Sequence, residues 1–422
     1  MAFYQDWDTT PSKLRVAQIF LVLGVLFVGG VGLFAAIVQV NTTRDIAKNV
    51  EPLNDTVTRL YRSLAEADAT VAAGYLSGGV EPAEIQTHYG RDLADATASL
   101  AQASTQAGGE PVTTKRITDI TTQLPVYTGL VERARANNRE GFAVGVSYLR
   151  SASDLMQNSI LPVAAELQQR QAARLDDAYR LAGSVPVVAL ASCMVSLAGL
   201  IWAQVFLFRR THRVVNIGLV IASAAVITGL VWWTVTGVAS GKSLTGAFGH
   251  SRSVSDALAP AQIAALQARA FESLELVDRT GDPIEPKFTA RMHELVTSNG
   301  VLGSAQHFAT DQHGKALVQA AVADAHGYAT AHQEVRELDD AGKYIQAVDA
   351  AVKTNQPGAA TAFDQLNMAL TTAIEYERGT FEKDIERARG WLTGLPFVTV
   401  ALALISAVGV AWGVQQRLEE YQ

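Results

Sequence analysis

Four stretches of the chain, 17–40, 181–208, 214–239 and 391–414, are apolar almost without a break. No charged residue occurs from Leu181 to Phe208, or again from Val214 to Gly241. A helix rising about 1.5 Å per residue needs roughly 20 residues to cross the ~30 Å of hydrocarbon in a bilayer. Buried helices of soluble domains are rarely this apolar over more than about 14 residues. Each stretch therefore predicts a membrane-spanning helix. The first exceeds the apolar run of a secretion signal and no clear small-residue cleavage site follows it, so it reads as a signal-anchor.

Polar positions return in 41–180 and 240–390, where apolar residues step by three and four. Val50, Leu53, Val57, Leu60, Leu64, Ala67 and Val71 form one such stripe, and Ile117, Ile120, Leu124, Tyr127, Val131 and Ala134 another. Phe363, Leu366, Leu370, Ile374, Phe381 and Ile385 form a third. This spacing places each stripe on the face of a helix that packs against others. Breakers divide the first segment at 77–80, 108–111 and 137–141. They divide the second at 280–284, weakly near Gly314, and at 339–342. The fold class that follows is an all-α membrane protein, with four transmembrane helices and two tandem extracytoplasmic antiparallel four-helix bundles. The loops between helices one and two, and three and four, of each bundle are then its distal tips.

The two halves resemble each other. Glu81-Pro82 in GGVEPAEI aligns with Glu285-Pro286 in GDPIEPKF, Tyr127 falls opposite Tyr328, and Pro186 opposite Pro396. Pro52 follows the first span as Pro260 follows the third, where a plain helix start is the simpler reading and a hinge the sharper one. The order of span, outer domain, span recurs in parallel orientation, as a tandem duplication rather than the inverted repeat common in transporters.

Charge sets the orientation. The chain of 422 residues has a net charge of −7 and is 18% charged, below the roughly one quarter of soluble domains. Its densest short basic cluster, Arg209, Arg210 and Arg213, sits in the few-residue connector between the second and third spans. Short connectors follow the positive-inside bias most faithfully, so 209–213 is expected in the cytoplasm together with residues 1–16 and the tail 415–422. Segments 41–180 and 240–390 then lie outside. Trp202, Trp232, Trp233, Trp391 and Trp412 fall near span ends, as an interfacial belt would place them.

Recognisable catalytic chemistry is missing from the sequence. HELVT, from His293, carries Thr297 where a zinc-protease helix needs its second histidine. GGVGLF (29–34) lies in a span with no preceding strand, so its glycines, like Gly409 and Gly413, read as sites of close helix approach. His307 and His313 lack a regular ligand spacing. The spans hold no ionisable relay, and no polybasic surface suggests nucleic acid. The single cysteine, Cys193, lies in a span and permits no intramolecular disulfide. The expectation is a protein that is not an enzyme and has no cofactor or metal.

A four-helix bundle on two membrane legs resembles the periplasmic sensor modules of chemoreceptors and histidine kinases. This sequence departs from those families after Val414, where QQRLEEYQ leaves no coiled coil or kinase domain, so cytoplasmic output is expected to pass through a separate protein. The duplicated arrangement, with RRTHR (209–213) between spans two and three, is similar at the level of its whole architecture to the actinobacterial GlnX family. That resemblance implies a signal transducer in the plasma membrane. It would relay amino-acid availability (glutamate, aspartate or glutamine) from an extracytoplasmic solute-binding lipoprotein, GlnH-like, to a cytosolic Ser/Thr kinase, PknG-like. A homo-oligomer is compatible with it. A direct small-molecule sensor and a structural or accessory subunit of an envelope or transport complex are the alternatives.

The tips are the expected docking surface for the outer partner: Gly78, Glu81, Asn137, Asn138, Arg139 and Glu140 in the first half, and Asp278, Arg279, Asp282, Glu285, Asp339 and Asp340 in the second. Solvated acidic loops are the simpler explanation of most of them. On the inner side the candidates are Trp7, an aromatic of the kind that anchors interfaces, with Arg209, Arg210, Arg213, Glu419 and Glu420. A membrane anchor explains Trp7 equally well, and topology alone explains the arginines.

Overall fold

A computed structural model of the protein describes residues 10–182, 187–211, 216–246, 252–278, 283–309 and 311–419. Among the described residues regular structure is entirely helical. The first half contains α1 (Thr10–Asp45), a π-helical turn (Ile46–Val50), α2 (Glu51–Leu76), α3 (Ala83–Gln106), α4 (Pro111–Arg139), α5 (Val144–Leu155), a second π turn (Met156–Ile160), α6 (Leu161–Ala182) and α7 (Val187–Thr211). The second contains α8 (Ile217–Gly246), α9 (Arg252–Val277), α10 (Glu285–Val296), α11 (Val301–Phe308), α12 (Gln312–Asp340), α13 (Tyr344–Val352), α14 (Ala359–Thr393) and α15 (Leu395–Glu419). The chain forms two compact units.

One unit comprises Met1–Asp45, Ala178–Thr245 and Lys383–Gln422. It holds the four apolar stretches, each in a helix long and apolar enough to cross a membrane. Phe20, Phe27 and Phe34, spaced seven apart, form an exposed stripe on α1 of the kind that lipid covers. Small residues let the backbones meet. A Cβ on Gly218 would stand 2.3 Å from the Gly409 carbonyl oxygen and 2.4 Å from Gly413 Cα, and one on Gly29 only 2.5 Å from Ala403 Cβ. Asn216 secures the first of these contacts. Its Oδ1 accepts from the Gly218 and Leu219 amides (3.1 and 3.3 Å) and its Nδ2 donates to the Gly413 carbonyl (2.7 Å). The expected role of Gly29, Gly409 and Gly413 in close helix approach is what the packing displays.

The other unit comprises Ile46–Asp177 and Gly246–Glu382. Here α2 packs on α3 and α9, α4 on α5, α9 on α10 and α11, and α12 on α13. The apolar residues of both halves belong to one core. Two bundles with separate cores therefore do not describe this unit. The reason lies in α2 and α9. On α2 the expected stripe of Leu53, Val57, Leu60, Leu64, Ala67 and Val71 is buried, but so are Thr56, Ser63, Ala65, Ala69 and Ala72. On α9 nearly every residue from Ala261 to Leu274 is buried. On α9 such burial leaves no solvated polar face, whereas α2 keeps one at Arg59 and Arg62; small side chains let the two helices pack side by side.

The second half also has more pieces than its sequence suggests. Besides the break before Glu285, the chain breaks at 297–300, after Phe308, and at 353–358. Near Gly314 it is Asp311 that starts α12, its carboxylate accepting from the His313 and Gly314 amides (3.0 and 2.8 Å). The two prolines part company as well: Pro52 opens α2, whereas Pro260 lies inside α9.

The likeness of the two halves is clearest in one turn. Gly141 and Gly342 close α4 and α12 in the left-handed region (φ 72° and 74°). In each, the glycine amide donates to the carbonyl three residues back, Asn138 (3.0 Å) or Asp339 (2.9 Å). The next amide donates to the carbonyl five back, Asn137 or Leu338, at 2.8 Å in both. This glycine-capped geometry satisfies helix-end carbonyls that would otherwise lack donors.

Candidate functional site

The loops after α2, α4, α9 and α12 hold the expected docking residues. Local bonds tie them in pairs: Asn138 Nδ2 donates to the Tyr75 carbonyl (3.3 Å), and the Tyr344 hydroxyl to the Leu276 carbonyl (3.1 Å). Arg150 on α5 pairs with Asp278 at 2.8 Å, linking the first half to the end of α9. Gly78, Arg139, Glu140 and Asp340 are exposed, and beside them stand the exposed apolar side chains of Val80, Phe142 and Ile345. The others are engaged inside the fold. Glu81 pairs with Arg135 (2.9 Å), Asn137 Nδ2 donates to the Arg133 carbonyl (2.8 Å), and Glu285 and Asp339 both pair with Arg336 (3.6 and 3.4 Å), which the exposed Asp340 also reaches at 3.4 Å. Arg279 and Asp282 lie outside the described residues, as do Trp7, Arg213 and Glu420. Arg209 is exposed near the end of α7; Arg210 and Glu419 lie in α7 and α15, but their side chains are not among those described.

Each half buries an acid against a tyrosine. In the first half, Asp68 on α2 accepts from the Tyr127 hydroxyl (3.4 Å), the Ser153 hydroxyl (3.0 Å) and Gln157 Nε2 (2.8 Å). In the second, Glu272 on α9 accepts from the Tyr328 hydroxyl (3.0 Å) and pairs with Arg269 (2.5 Å) and His332 (2.9 Å). The aligned Glu-Pro pairs sit beside these acids in the same way. Glu81 meets Arg135, two helical turns beyond Tyr127; Glu285 meets Arg336, two turns beyond Tyr328, and also His332 at 3.1 Å.

The two acids have opposite electrostatics. Burial dominates at Asp68 and lifts its carboxyl to about 6, against the lowering effect of Gln157, Ser153 and Tyr127. No hydrogen-bond partner of Asp68 is a cation. Burial acts on Glu272 in the same sense, but His332 and Arg269 outweigh it and hold the carboxyl below its usual range. At His332 burial opposes the charge, yet bonds to Glu272 and Glu285 prevail and raise it to about 9. Its ring, stacked on Phe288 at 3.5 Å, then donates from both nitrogens, and the imidazolium bridges the two carboxylates.

A cavity of about 150 Å³ opens among α2, α6, α9 and α14, with Asp55, Arg59, Arg62, Gln262, Arg378 and Glu382 in its walls. Within those walls Arg378 pairs with Asp55 and, at 3.2 Å, with Glu382, while Arg62 pairs with Glu66 outside them. The sequence reading singled out Tyr127, Tyr328, Glu81 and Glu285 by alignment, but not Asp68, Glu272, Arg269 or His332. For Asp68 and Arg269 the available signal is a charge between two alanines, in AEADAT (65–70) and ARAFES (268–273).

Comparison with known families places one part of this unit. Residues 42–180 match the model of the actinobacterial sensor domain. The match covers the first half from the end of α1 through α6, so Asp68, Tyr127 and the Glu81–Arg135 pair all lie in the sensor domain. No curated protein and no solved structure matches the chain. A sensor domain in a chain with four candidate membrane helices makes this a multi-pass membrane protein with a sensing role.

Proposed function

We propose that the protein is a transmembrane signal transducer. It receives the state of an extracytoplasmic solute-binding lipoprotein at its tips and relays it to a cytosolic Ser/Thr kinase, without catalysing a reaction itself. The observation that carries this reading is the sensor-domain match on a unit whose loops expose Val80, Phe142 and Ile345 next to Arg139, Glu140 and Asp340. Apolar side chains rimmed by charge suit docking of another folded protein. The ligand reported by that partner would be an amino acid of the glutamate, aspartate or glutamine type. In this arrangement the termini and the basic connector are cytoplasmic and the sensor unit is outside. Small shifts of packed helices would carry the signal.

Co-purification from native membranes tests the relay. Phe142→Asp with Ile345→Asp should release the extracytoplasmic partner while the variant stays in the membrane at wild-type level. A wild-type preparation that brings down a transport complex, with neither a binding protein nor a kinase, would replace the relay by an accessory-subunit role. Cysteines at Glu140 and Asp340, in a Cys193→Ala background, should react with an impermeant maleimide in intact cells. Labelling only after permeabilisation would reverse the topology.

A further inference from the structure

Asp68 stands at one end of a hydrogen-bond chain that crosses from one half of the molecule to the other. It is 3% exposed. Gln157, in the π turn of Met156–Ile160, donates to it through Nε2 at 2.8 Å and accepts from Gln267 Nε2 through Oε1 at 2.9 Å. Gln267 belongs to α9, five residues before Glu272. The chain therefore has a direction. Each amide donates toward Asp68, as an acceptor-only carboxylate requires.

We propose that Asp68 is a proton-binding input site whose occupancy is read by the second half through Gln157 and Gln267. The proton comes from water and adds to a carboxylate oxygen; only hydrogen bonds rearrange. A protonated carboxyl must donate, and Gln157 can accept by turning its amide so that Oε1 faces Asp68. Its Nε2 then faces Gln267, which must turn in the same way and present its own Oε1. The whole chain reverses, and the reversal ends on α9. Gln157 sits where an extra residue per turn already perturbs the helix, a feature frequent at functional sites.

The surroundings favour proton uptake at this acid rather than at its counterpart. The titratable groups facing Asp68 are Tyr127 on α4, Tyr89 on α3 and Asp154 on α5, and none of the three supplies positive charge. Arg135 is the cation on that side, and it lies over the Tyr89 ring at 4.2 Å and pairs with Glu81. From α9 the neutral amide of Gln267 reaches Gln157, the donor to Asp68. Burial lifts Asp68 to about 6, so a mildly acid exterior changes its state. Glu272, clamped by Arg269 and His332, keeps its charge over the same range. This inference goes beyond the relay proposed above and needs neither of its partners.

Hydrogen exchange of the full-length protein in nanodiscs, at about pH 5 and about pH 7.5 with intrinsic rates corrected, tests it. In wild type, residues 261–277 of α9 should change protection on the order of fivefold between the two conditions. Asp68→Asn, a neutral side chain of the same shape, should abolish the change in α9. Gln267→Leu should abolish it in α9 while α2 and the π turn still respond; Gln157→Met cuts the same chain at its middle if Gln267→Leu does not fold. A wild-type α9 that does not respond, or a response that survives in Asp68→Asn or in both glutamine variants, overturns the proposal.

Discussion

The two halves of the unit that holds the sensor domain share a plan and differ in how each meets the cost of a buried acid. Both place a carboxylate on the first helix under a tyrosine from a later one. Both set a Glu-Pro helix start against an arginine two turns beyond that tyrosine, and both end that helix on the same glycine turn. The first half, which carries the sensor-domain match, surrounds Asp68 with neutral donors. The second surrounds Glu272 with Arg269, His332 and Tyr328. Neutral donors leave a carboxylate close to the point where taking a proton is easier than staying charged, whereas paired cations move that point far away. The acid of one half thus lies near its titration point and that of the other is held charged, and α2 and α9 pack the halves together.

Separating the halves should have the largest effect. Residues 45–180 or 245–388 alone expose the buried alanine faces of α2 or α9, and should give expanded helical states that bind hydrophobic dyes and unfold without a sharp transition. Two fragments with cooperative unfolding of their own would show that the shared core is dispensable. Next comes Arg269→Met, which leaves Glu272 one cation short in a dry site. Breaking such a pair should cost about 3–5 kcal/mol in denaturant unfolding of the full chain.

Asp68→Asn should act in the opposite direction, raising stability at neutral pH by about 2 kcal/mol because it removes an uncompensated buried charge. The sign follows from linkage. The folded value of Asp68, about 6, lies above its unfolded value of 3.8, so its stabilising contribution is complete below 3.8 and is lost as pH rises through 6. The Asn variant should lack that dependence. His332 moves the same way at higher pH: its contribution is full below 6.5 and lost as pH passes about 9. Glu272, held low, contributes above its ordinary 4.5 and loses that contribution on acidification. His332→Gln should therefore flatten the alkaline side of the stability profile and leave the acid side, where burial raises Asp68 together with Glu66, Asp92 and Asp364, in place. The smallest effect is expected for Arg150→Ala, about 1 kcal/mol or less, since its side chain is partly solvated even though Asp278 is buried. A much larger loss would make this ion pair, rather than the α2–α9 packing, the main tie between the halves.

Much of the architecture was legible in the chain. The four apolar stretches, the breakers at 77–80, 108–111 and 137–141, and the glycines of close helix contact all appear where local pattern placed them, because each depends on residues near in sequence. The shared core was not legible. Its signal is a second stripe of alanine, serine and threonine on α2, and small residues read as solvent-facing unless the partner helix is known. The same limit applies to the docking residues. Exposed loop composition suggested Glu81, Asp278, Glu285 and Asp340 alongside Glu140, but only packing shows that the first four are paired with arginines or a histidine.

Sequence alone determined the number of candidate spans, the helical class and the internal likeness of the halves, since hydropathy over a bilayer's thickness and repeated punctuation are properties of consecutive residues. Tertiary structure decided that α2 and α9 are central helices and that Asp68 and Glu272 are buried. It also decided which of the two acids receives cations. Those outcomes hang on contacts such as Asp68 with Gln157, 89 residues away, and Glu272 with His332, 60 residues away. The free energy of a buried charge is set by the groups within a few ångströms of it, and a linear pattern carries no record of which groups those are.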